Sequence, residues 1–167
     1  MKIRILLAAL AAALALGACG QGGGNQAKTP ESTVKELIRA AVMMRKRAYC
    51  PYSGFSVGAA VLCSDGSVYT GCNIENSSYP ITICAERTAM AKAVSEGRTS
   101  FTAIAITGGK SEEPEGYSYP CGACRQFMRE FADPDELSVI VAKSEEDYVI
   151  KTLAELLPCS FGPGNLV

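Results

Sequence analysis

Three cysteines in this chain are spaced so that they could hold one metal ion. Cys84 opens the run Cys84-Ala85-Glu86-Arg87, and a second run reads Pro120-Cys121-Gly122-Ala123-Cys124-Arg125-Gln126. Cysteines three apart at a helix start share a face and can grip one ion, while Cys84 adds a third thiolate from the start of another helix. Helix N-termini carry partial positive charge, which lowers thiol pKa values and favours the ligating thiolate. Three protein ligands leave the fourth tetrahedral position of a zinc ion open to water, as a catalytic zinc requires. Glu86 is then the candidate proton shuttle. Residues two apart on a regular helix do not face each other, so Cys84 and Glu86 can cooperate only if Cys84 lies at the very end of its helix. Arg87, three residues after Cys84, can lie beside the sulfurs and offset the charge of a zinc held by three thiolates.

Other uses of these residues have to be weighed. A Cys-x-x-Cys pair alone also suits a redox centre or half of a structural zinc site, with Cys159 available as a fourth thiolate. Glu86 alone could be a solvated carboxylate favoured by the helix dipole. A structural zinc has no use for that carboxylate, however, and no second element supports a redox pair. There is no histidine among the 167 residues, which excludes Ser-His-Asp, Cys-His and His-Glu-x-x-His chemistry. Eight cysteines in a chain with ample core residues point to metal ligation for some of them rather than to a disulfide scaffold. Cys50, Cys63 and Cys72 lie in apolar or turn settings and are assigned no role, and Cys159 reads as structural. The net charge of −1, with no run of Lys or Arg, argues against a nucleic-acid partner.

These groups need elements to position them. Val34, Leu37, Ile38, Ala41, Val42 and Ala48 recur at helical spacing, so an amphipathic helix is expected over 31–48. Cys50-Pro51-Tyr52-Ser53-Gly54 breaks it. Residues 55–63 and 67–73 read as the arms of a hairpin turning at Ser64-Asp65-Gly66. Residues 84–96 are strong helix formers closed by Gly97. A buried strand is expected over 101–107, a polar loop over 108–119, and a helix over 121–131 entered from Pro120. A strand over 137–142, a short one over 148–150 and a short helix over 152–157 complete the chain. A hairpin followed by helix, strand, helix, strand suggests an α/β fold, a mixed sheet with helices on its faces.

The first nineteen residues form a separate unit. Lys2 and Arg4 precede twelve apolar residues, 5–16, too few for a membrane-spanning helix, which needs about 20. Leu16-Gly17-Ala18-Cys19 resembles a bacterial lipobox, which implies cleavage before Cys19, lipid on that cysteine and membrane anchoring. Gly-rich residues 20–30 read as a flexible linker, and 31–167 as the folded domain.

The Cys-Ala-Glu-Arg and Pro-Cys-Gly-Ala-Cys-Arg-Gln runs together resemble the cytidine deaminase family. Flanking blocks are similar to its small free-nucleoside branch: residues 49–53, Phe55 with Val57-Gly58-Ala59-Ala60, residues 71–76, Leu156-Leu157-Pro158 and Phe161-Gly162-Pro163. The resemblance spans about 31–166. It implies a three-layer α/β/α fold with a five-stranded mixed sheet, and zinc on Cys84, Cys121 and Cys124. It implies Glu86 as proton shuttle, Asn73 and Glu75 on the ribose hydroxyls, and Phe55 stacked on the pyrimidine. Phe161 is implied to reach the pocket of a neighbouring subunit in a homotetramer with shared sites. The implied reaction is hydrolytic deamination of cytidine and deoxycytidine in pyrimidine salvage. Alternatives are another aminopyrimidine nucleoside as substrate, or a lipoprotein module with structural zinc. A lipobox is unusual in this family, whose members are typically cytoplasmic. The protein is a membrane-anchored lipoprotein if the signal is used and cytoplasmic otherwise.

Overall fold

The structure is a computed structural model that describes residues 29–114 and 116–166. The lipoprotein-type signal at 1–19, with Cys19, and linker residues 20–28 lie outside the described residues. Among the described residues no helix is long and apolar enough to cross a membrane.

Helix α1 (Glu31–Arg45) is followed by the hairpin β1 (Ser56–Cys63) and β2 (Val68–Cys72), then α2 (Ala85–Ser95), β3 (Phe101–Gly109), α3 (Gly122–Phe131), β4 (Ser138–Ala142), β5 (Tyr148–Thr152) and α4 (Leu153–Leu156). The strands form one five-stranded sheet in the order β2-β1-β3-β4-β5. β3 and β4 are parallel and every other neighbouring pair is antiparallel, so the sheet is mixed, as expected. The parallel pair follows from α3, since parallel strands need a crossover long enough to hold a helix.

Alternation along the strands divides the core into two layers. Ala60, Ala103, Ala105, Ile140 and Ala142 face α1, packing on Val34, Leu37, Ile38 and Ala41. Their neighbours Ala59, Val61, Ile104, Ile106, Val139 and Val141 face the other way, onto Ala85, Ala89, Met90, Cys124 and Met128 of α2 and α3. Two glycines set how closely the helices approach. A Cβ on Gly58 would lie 1.9 Å from the Ala41 carbonyl oxygen, and one on Gly71 would lie 2.4 Å from the Ala89 nitrogen. Strand and helix backbones therefore meet directly on both faces.

Element ends differ from the expected ones for local reasons. α1 stops at Arg45 rather than running to 48, because Arg47 and Ala48 bond back three residues, to Met44 and Arg45, and tighten the chain out of the helix. β3 runs on through Gly108 and Gly109, which pair with Val57 and Ser56. β5 extends to Thr152, which then caps α4 in a reciprocal bond pair with Glu155.

Candidate active site

The thiols meet where two helices begin. Cys84 is the N-cap of α2 and Cys121 the N-cap of α3, both extended, with ψ 156° and 166°, and neither sulfur is spent on capping the backbone N–H groups of its helix. Cys84 therefore stands off the regular helix, the condition under which it can work beside Glu86. Cys124 lies in the first turn of α3 and is buried. The three sulfurs all lie within 4.8 Å of one another, and those of Cys84 and Cys121 are 3.9 Å apart. Tetrahedral ligation with Zn–S bonds of about 2.3 Å needs sulfurs about 3.8 Å apart, so this donor set fits zinc. Cys159 is not part of the group, which removes the four-cysteine structural site. Cys121 is exposed and Cys84 half-buried, so the cluster opens on one side.

Glu86 is buried, with 4% of its surface exposed. Burial pushes its carboxyl up from the ordinary range, and the neighbouring Cys84 adds to this, while bonds from its own backbone N–H and from Cys124 act the other way. A raised carboxyl pKa suits a group that must both take and give a proton near neutral pH. Arg87 Nη2 donates to the Thr82 carbonyl at 3.1 Å and to Cys84 Sγ at 3.8 Å. The Cys84 thiol is pulled down by its hydrogen bond to Cys124 and further by Arg87. Cys124 is pushed up by its hydrogen bond to Cys84 and by burial.

Backbone bridges tie the segment that carries Asn73 and Glu75 to the residue before Cys84. Ile74 bridges to Tyr49 on one side and to Ile83, the residue before Cys84, on the other. Asn73 is buried; its Oδ1 accepts from Val57 N at 2.8 Å and its Nδ2 donates to the Phe55 carbonyl at 2.9 Å. Glu75 Oε2 accepts from the backbone N–H groups of Tyr52 and Ser53 at 2.9 and 3.2 Å. Both polar side chains thus hold the 52–57 segment that carries Phe55. That ring lies against Gly108, where an added Cβ would come within 3.1 Å of it. Phe161 is exposed, and among the described residues only its carbonyl is engaged, by Gln126 Nε2 at 3.0 Å.

Arg45 was missed by the sequence analysis. It is buried, has no carboxylate partner among the described residues, and donates to the Ser56 carbonyl at 3.2 Å, to Ser56 Oγ at 3.0 Å, to the Glu112 carbonyl at 2.8 Å and to the Ser111 carbonyl. It joins the start of β1, next to Phe55, to the loop after β3. The signal was present: position 45 continues the buried stripe 34, 38, 41 of α1, and an arginine at a core position needs acceptors.

Comparison with known proteins agrees with this geometry. Residues 31–141 match the family model for the cytidine and deoxycytidylate deaminase zinc-binding region. The chain is 47% identical over 133 residues to a cytidine deaminase of Sporosarcina psychrophila, covering 80% of this chain and 94% of that one. It is 49% identical over 125 residues to a cytidine deaminase of Halalkalibacterium halodurans, covering 75% and 91%. The crystal structure of cytidine deaminase from Burkholderia pseudomallei superposes with a TM-score of 0.69 at 44% identity, over 75% of this chain and 97% of that one. The chain therefore belongs to the cytidine and deoxycytidylate deaminase family.

Proposed function

We propose that this protein is a zinc-dependent cytidine deaminase, converting cytidine and deoxycytidine with water into uridine and deoxyuridine with release of ammonia. The observation that carries the reading is a buried carboxyl, Glu86, beside a three-thiol cluster open on one side. Cys84, Cys121 and Cys124 would hold the zinc, which when bound supplies Lewis acidity to a water at the open position. Glu86 takes a proton from the attacking water as it adds to C4, delivers it to ring N3, and assists departure of the amine as ammonia. Arg87 offsets the charge of the thiolates. Phe55 is read as stacking on the pyrimidine, and Asn73 and Glu75, besides framing the 52–57 segment, as the residues that bind the ribose hydroxyls. The direct test is product analysis after incubation with cytidine, with uridine and ammonia expected in equal amounts.

The site is read as shared between copies in a homotetramer. Tyr49, Tyr52, Ile74, Tyr79 and Ile81 are exposed around the frame that leads to Cys84, and Tyr52 and Tyr79 meet edge to face at 5.7 Å. Such a clustered apolar surface suits burial against another chain. Phe161 is likewise read as reaching a neighbouring copy's site. Sedimentation analysis should give four times the chain mass, and a stable monomer would remove this part of the reading. Cys19 is proposed as a lipid attachment point, with 20–30 as tether, and labelled fatty acid should be incorporated into the parent chain but not into Cys19→Ala.

A further inference from the structure

Helix α3 carries a second set of contacts beyond its two thiols. Arg125 donates from Nε to the Pro120 carbonyl and from Nη1 to the Leu156 carbonyl, both at 2.7 Å. Gln126 Nε2 donates to the Phe161 carbonyl at 3.0 Å, and Arg129 Nε donates to Ser160 Oγ at 3.2 Å. Gly162 lies on the same guanidinium, where an added Cβ would sit 2.6 Å from Arg129 Cζ. Its φ of −157° is open to any residue, so close contact, not conformation, favours glycine here. The segment enters this clamp through Cys159, whose φ of 53° is costly for a residue with a side chain and must be offset by the contacts of residues 160–162.

All these bonds hold backbone or Ser160, and none holds the Phe161 ring, which is 59% exposed. A surface clamp of this kind adds little to fold stability, since its groups exchange water for protein partners. What it fixes is direction. We propose that Gln126 and Arg129 are positioning residues for the deamination: they lock the 160–162 backbone to the helix bearing Cys121 and Cys124, so that the Phe161 ring is presented outward in one orientation to the nucleoside site of a neighbouring copy. This rests on the reading of Phe161 as a residue shared between copies. It ties a residue used by one copy to the metal-bearing helix of another.

The test uses the full chain and the variants Gln126→Ala, Arg129→Gln, Phe161→Ala and the double variant Arg129→Gln/Phe161→Ala. Steady-state kinetics with cytidine, melting temperature and zinc content are measured for each. Expected for each single variant is a KM raised about tenfold, equivalent to about 1.4 kcal/mol, with kcat within about twofold and zinc content unchanged. The double variant should be no worse than Phe161→Ala alone, because the clamp acts through that ring. Multiplied effects in the double variant would overturn the proposal. Parental KM for both clamp variants beside an impaired Phe161→Ala would overturn the clamp and leave the Phe161 reading standing. A Phe161→Ala protein with parental KM would remove both. Gln126 is exposed on α3, so Gln126→Ala keeps the test open if Arg129→Gln folds poorly.

Discussion

Gly71→Ala should disable the site from a distance. Gly71 sits on β2 under α2, and its added Cβ would fall 2.4 Å from the Ala89 nitrogen, 2.5 Å from the Ala85 oxygen and 2.9 Å from Thr88 Cβ. Ordinary contacts begin near 3.5 Å, so α2 must move outward by about 1 Å. Two of the three obstructing atoms are backbone, so no rotamer change relieves them. Overpacking costs about 1–3 kcal/mol, and this case belongs at the upper end. For a domain of this size about 3 kcal/mol is a fall of about 10 °C in Tm. The same movement carries Cys84 and Glu86, and misplacing reacting groups by 1 Å costs about 100-fold in rate. Thermal melts and kcat/KM for cytidine on the zinc-loaded variant measure both effects. A variant melting within about 2 °C of the parent, with kcat/KM within about twofold, would refute the claim that the Gly71 contact sets the position of α2.

Arg87→Gln leaves the thiolate charge without its guanidinium and should weaken zinc retention about 10- to 100-fold, measured by competition with a chromogenic chelator. Arg45→Met strips donors from the Ser56, Ser111 and Glu112 carbonyls and should cost about 3 kcal/mol in denaturant unfolding, with a raised KM because the start of β1 adjoins Phe55. A truncated chain beginning at Ala27 should keep its kcat/KM, since every site residue lies beyond the linker; loss of activity in a folded, zinc-loaded product would count against that separation.

The chemistry was legible in the sequence because its residues sit in two short local runs. Cys84 and Glu86 are two apart, Cys121 and Cys124 three apart, and each run opens a helix, one closed by Gly97 and the other entered from Pro120. The buried run of β3 and the amphipathic stripe of α1 were likewise plain. What stayed hidden depends on contacts between distant segments. The amide of Asn73 is committed to the Phe55 carbonyl and the Val57 N–H, a consequence of β2 register that no local pattern records. The glycine contacts at positions 58 and 71 require knowing which helix lies on which face. The Gln126 and Arg129 clamp joins α3 to a tail over thirty residues on, where the sequence displays only a polar helix face.

The central claim is that Glu86 moves the protons as water adds to cytidine beside the thiols that would hold zinc. The most direct measurement is the loss of cytosine-band absorbance when the parent and Glu86→Gln, both with zinc bound and both folded, meet cytidine. Expected is turnover by the parent and a rate lower by about 10⁴-fold in the variant, with zinc content equal in the two. A zinc-loaded Glu86→Gln protein that deaminates within about tenfold of the parent, or a folded zinc-loaded parent that leaves cytidine unchanged, would contradict it.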